Sequence, residues 1–143
     1  MKKRLVLDTN ICLDLFVFHD QRWKLLLTGL HEGKFEAITK ASCRDEWLAV
    51  LHYPQLPIND DNRPHIINAF DRLIHCIDPT PSTSVKLPIC KDPDDQQFME
   101  VARDGQATHL ITKDKALLQC AKKIHQLKLF RIVSPEVFIA TCV

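Results

Sequence analysis

Apolar residues fall along this chain in two alternating rhythms: short unbroken runs, and longer stretches in which they recur three and four positions apart. Leu5 to Leu7 is of the first kind, the pattern of a strand covered on both faces in a parallel sheet, and Phe35 to Thr39 ("FEAIT"), Cys76 with Ile77, His109 to Thr112 and Leu129 to Val133 read as further short strands. The second rhythm predicts helices over residues 11–18, 21–30, 43–52, 59–75, 92–104 and 115–126, with a last turn or helix opened by Ser134 and Pro135. Ser42 reads as the cap of the third helix, with Asp45 as capping-box partner and Pro54 as its stop, and Gly105 closes the fifth. Residues 78–93, with Pro79, Pro81, Pro88 and Pro93, read as a long loop. Strands alternating with helices predict a three-layer α/β/α fold around a central, mostly parallel sheet, with residues 1–143 as a single domain.

Composition changes this picture little. The chain has 143 residues, 45% hydrophobic and 26% charged, the balance of an ordinary globular protein. A net charge of +1 gives no strong global attraction to an anionic partner, so nucleic-acid binding requires a local basic patch. The basic start "MKKRLVLDTN" has only three apolar residues before a carboxylate, too few for a signal peptide, and no run is long enough to cross a bilayer. A soluble, cytoplasmic protein is expected. Six cysteines are spread without C-x-x-C pairing or zinc-site spacing, and read as reduced, partly buried thiols.

The candidate chemistry lies in the carboxylates. Asp8 and Asp114 each follow an apolar strand run by zero or one residue, which points both into the crevice beyond the strands' carboxyl ends. With about 100° per residue, Asp95 falls on the same helix face as Phe98, Met99 and Ala102. A carboxylate on that face needs a cation, a donor or water. Two readings stand for it: a metal ligand, or the third residue of a cap in which Asp92 is N-cap and Pro93 opens the helix. Glu46 borders the apolar arc of Cys43, Trp47, Val50 and Leu51. Several carboxylates gathered in one place repel unless a cation neutralises them, and hard oxygen ligands suit Mg2+ or Mn2+.

"LVLDTN", the glutamate in "CRDEWLAVL", "DPDDQQFMEVA" with its D-x-x-F-x-x-x-A spacing from Asp95, and "HLITKD" together resemble the PIN domain, the nuclease fold of many bacterial toxin–antitoxin toxins. The resemblance spans Leu5 to about Val133. It implies an acidic site of Asp8, Glu46, Asp95 and Asp114 holding Mg2+ or Mn2+. Thr9, Asn10 and Thr112 would orient the carboxylates, and Asp92 or Asp94 would replace or assist Asp95.

The activity implied is hydrolysis of RNA phosphodiesters. Lys40, Arg44, Lys113 and Lys115 are the cations placed to hold substrate phosphates. A small antitoxin that threads a basic residue into the acidic pocket, and a homodimer formed through apolar residues of the 21–30 helix, are the implied partners. A PIN fold that binds RNA or a protein without cutting is the alternative. A haloacid-dehalogenase-like phosphatase needs an aspartate two residues after Asp8, where this chain has Asn10.

Overall fold

The computed structural model describes residues 2–80 and 85–143. Strand β1 (Lys3–Leu7) runs at the centre of a five-stranded, wholly parallel sheet. Beside it lie β2 (Phe35–Thr39) and β4 (His109–Ile111), flanked by β3 (Ile74–Cys76) and β5 (Arg131–Val133), in the order β3-β2-β1-β4-β5. Leu5, Leu7, Ala37 and Ile111 feed one buried cluster, and Val6, Ile38 and Leu110 a second. Side chains that alternate along a strand point to opposite faces, so the two clusters are the two interfaces of a three-layer α/β/α fold.

The first cluster is capped by α1 (Thr9–Phe16), α2 (Lys24–His31), α4 (Arg63–Leu73) and α8 (Pro135–Cys142), which contribute Ile11, Leu26, Phe70 and Phe138. The second is capped by α5 (Gln96–Asp104), α6 (Lys115–Leu118) and α7 (Ala121–Gln126), through Phe98, Leu117 and Ile124. Helix α3 (Ala41–Val50) straddles them, giving Trp47 to the first and Cys43 to the second.

Several boundaries differ from the sequence expectation, each for a local reason. Lys40 is extended and α3 begins directly after it, so Ser42 and Asp45 sit inside the helix and form no cap. The expected helix over 59–75 starts only at Arg63. Asn59 Oδ1 accepts the N–H groups of Asp61 and Asn62, and that turn holds the chain outside the helix. The 21–30 and 92–104 helices each open with a 3-10 turn, at Gln21–Trp23 and Pro93–Asp95. The 115–126 stretch is broken into α6 and α7. Within the expected 78–93 loop, Pro81 and its neighbours to residue 84 lie outside the described residues.

The strand order fixes where a site can form. From β1 the chain moves outward to β2 and β3, then crosses back to pair β4 on the other side of β1. The carboxyl ends of β1 and β4 therefore flank the topological switch point, where the connections diverge and leave a crevice.

Candidate metal centre

Asp8 and Thr112 are the residues immediately beyond β1 and β4. Leu7 and Ile111 are register partners, and the Asp8 N–H donates to the Ile111 carbonyl at 3.0 Å, so the pairing continues one step past the strands. Asp8 is buried and its two oxygens are held from three sides. The Thr9 N–H donates to Oδ1 at 2.7 Å, the Thr112 hydroxyl donates to Oδ2 at 2.7 Å, and the Asn10 amide donates to Oδ2 at 3.3 Å. Thr112 Oγ1 in turn accepts the Asp114 N–H at 2.9 Å, and Asp114 Oδ1 accepts the Ala116 N–H at 3.0 Å as it opens α6. One threonine thus sets the spacing of two carboxylates from different ends of the chain.

Asp95 reaches the same crevice from the last residue of the 3-10 turn, where it is only 7% exposed. Its side chain makes no capping bond; that work falls to Asp92, whose Oδ1 accepts the Asp94 N–H at 3.0 Å. Asp92 and Asp94 are both exposed. Asp8, Asp95 and Asp114 offer carboxylate oxygens that lie within 4.8 Å of one another. Glu46 stands outside this group of three, half-buried, and joins it through Thr9, whose hydroxyl donates to Oε2 at 2.9 Å.

The electrostatics follow from this crowding. Burial pushes the Asp8 carboxyl up to about 6, against the pull of its Thr112 and Thr9 hydrogen bonds and with the charges of Asp114 and Glu46 adding to the rise. Burial raises Asp95 further, reinforced by a hydrogen bond to Asp114 and by the charge of Asp8. Asp114, at the other end of that bond, is held below the usual carboxylate range. Burial also raises Glu46. With both groups ionised, Asp95 Oδ2 is buried without a hydrogen-bond donor. Two things can neutralise it: a proton shared with Asp114, or a cation.

That orphaned oxygen, facing two other carboxylates in an all-oxygen donor set, fits a hard divalent ion. A family model described as "PIN domain" matches residues 4–116, a span that takes in Asp8, Glu46, Asp95 and Asp114. The chain belongs to the PIN domain family. No curated protein matches it. The PIN domain is a nuclease-type fold, and the acidic cluster of this one is placed where such a fold can bind metal.

The expected phosphate-holding cations are mostly engaged elsewhere. Arg44 forms a two-pronged pair with Asp71 at 3.0 and 2.8 Å, and Lys40 reaches Glu100 at 3.6 Å. Lys113 pairs with Asp14 at 2.6 Å. Only Lys115 of the four is exposed with no ion pair among the described residues. Asp14, which sequence reasoning missed, is buried in α1 and also accepts the Trp23 indole N–H at 3.0 Å. The available signal was its place three residues after Ile11, on the buried arc of that helix. No helix among the described residues is long and apolar enough to cross a membrane.

Proposed function

We propose that this PIN domain is a divalent-metal-dependent endoribonuclease, with residues 1–143 acting as one domain. The observation that carries the reading is the convergence of Asp8, Asp95 and Asp114 with an Asp95 oxygen that has no donor. Asp8, Asp95 and Asp114 would hold Mg2+ or Mn2+, with Glu46 at the margin. When bound, the ion supplies a lowered pKa for an attacking water and stabilises the charge that develops on the scissile phosphate.

The protein's own part is preorganisation. Thr9, Asn10 and Thr112 fix the orientation of Asp8, and Ala116 does the same for Asp114 through its backbone, so the carboxylates need not reorganise when substrate arrives. Glu46, tied to Thr9, stands ready to accept a proton or a water-mediated contact at the edge of the group. The finer reading is the toxin of a cytoplasmic toxin–antitoxin pair, held silent by a small antitoxin that places a cation among the carboxylates. A second copy of the chain is a further candidate partner, through exposed Leu25 of α2.

The test is digestion of total RNA by the purified protein, with end mapping. Discrete fragments with Mn2+ or Mg2+, and none with chelator or in Asp8→Asn, support the reading. RNA left full length under every condition overturns it and leaves a non-catalytic binding module.

A further inference from the structure

Beside the acidic crevice runs a groove of about 690 Å3 between residues 86–91 and helices α6 and α7. Its lining adjoins the carboxylates: Ala116, whose N–H donates to Asp114 Oδ1 at 3.0 Å, stands in one wall, and Lys91 of the other lies four residues before Asp95. The groove is cationic and apolar together. Lys86, Lys91 and Lys123 line it, no carboxylate does, and all three lysines are exposed without an ion pair among the described residues. Between them lie Leu87, Pro88, Ile89 and Leu127, and Ile89 is 86% exposed, which for a lone isoleucine is a large uncovered surface.

This wall is fixed in place by the helix that follows Asp95. The Cys90 N–H donates to Gln96 Oε1 at 2.8 Å, and the Gln96 amide donates to the Pro88 carbonyl at 3.0 Å. The Arg103 guanidinium donates to the Val85 carbonyl at 3.0 Å. Both ends of the segment are thereby clamped to α5, and the side chain next to Asp95 holds the stretch that presents Ile89.

We infer that this groove is the binding path for single-stranded RNA leading to the acidic site. Lys86, Lys91 and Lys123 would contact successive phosphates, and Ile89 and Leu127 would lie against bases. The inference rests on the ribonuclease reading for the identity of the strand. Charge complementarity carries the choice of occupant, since unpaired lysines over an apolar floor match a polyanion with apolar faces. A duplex hides its base faces and gains nothing from Ile89 and Leu127. Lysine contacts to phosphates carry no sequence information and release counterions, so the contact is sequence-tolerant and salt-sensitive.

The experiment is fluorescence anisotropy with a short labelled RNA single strand, in chelator so that no cleavage occurs, over a series of KCl concentrations. Lys86→Ala/Lys91→Ala/Lys123→Ala should weaken binding at least about tenfold and reduce the salt slope by about 2, three contacts at about 0.7 each. Ile89→Ser, which removes the apolar surface without adding charge, should weaken the single strand and leave a duplex of the same sequence unaffected. Lys2→Ala/Lys24→Ala/Lys34→Ala removes the same charge from elsewhere and should bind as the wild type. Equal loss in both triple variants, equal binding of the duplex, or no binding by the wild type overturns the inference. If the wild type binds through the groove yet never cuts RNA with Mn2+, the groove stands and the nuclease reading falls. If it cuts and the groove variant binds unchanged, the reverse holds.

Discussion

The Thr112 hydroxyl donates to Asp8 Oδ2 at 2.7 Å, across 104 positions of sequence, and the same hydroxyl oxygen accepts the Asp114 N–H. Two carboxylates that repel are thus spaced by one fully buried side chain. Thr112→Val keeps the shape and removes the hydroxyl. It should cost about 2 kcal/mol in urea unfolding, the usual range for a hydrogen bond to a charged group, and cut RNA cleavage. Without its donor Asp8 holds its proton to higher pH, so the pH at which Mn2+ binding is half-maximal should rise. Thr112→Ser should restore that midpoint.

Stability of the metal-free protein should fall as pH rises. Asp8, at about 6 when folded against an ordinary 3.8, binds its proton more tightly folded than unfolded. Its contribution is fully present below about 4 and is lost as pH climbs through about 6. Asp95, raised as well, extends the loss to higher pH as the pair with Asp114 gives up its shared proton. Urea midpoints in chelator should therefore be higher at pH 5 than at pH 8. Added Mn2+ should raise the midpoint at pH 8 and do little at pH 5, where protons compete for the same oxygens.

Asp14 should be structural. It is buried, accepts from the Trp23 indole, and is neutralised by Lys113, whose side chain is 37% exposed. Lys113→Met should cost about 1 kcal/mol, in keeping with a pair open to water on one side. Asp14→Ala strips both partners and leaves the buried indole N–H without an acceptor, so it should cost about 2–3 kcal/mol. Urea unfolding of the two variants measures the difference; equal losses would contradict this role for Lys113.

The sheet and two of the three clustered carboxylates were legible because a parallel α/β fold writes them into local pattern. Leu5 to Leu7 is an unbroken apolar run and Leu110 with Ile111 is the apolar part of another strand, and the residues just beyond such strand ends face the crevice of a parallel sheet. Asp95 was legible from helical periodicity even though it lies in the 3-10 turn ahead of α5, because that turn keeps nearly the same phase. The partners of the cations were not legible. Lys113 with Asp14 and Arg44 with Asp71 are pairs 99 and 27 positions apart, joined only by how helices pack on the sheet. For the same reason Lys123, in a helix well past the last motif, gave no sign of lying along a groove with Lys86 and Lys91.

Asp8, Asp95 and Asp114 should remain ionised together only around a divalent ion. Calorimetric titration of Mn2+ at neutral pH, repeated in two buffers of different ionisation enthalpy, counts both the ions bound and the protons released. The wild type should show saturable binding with proton release, lost in Asp95→Asn and in Asp8→Asn. An isotherm that is the same in wild type and Asp95→Asn, or binding that releases no protons, would contradict it.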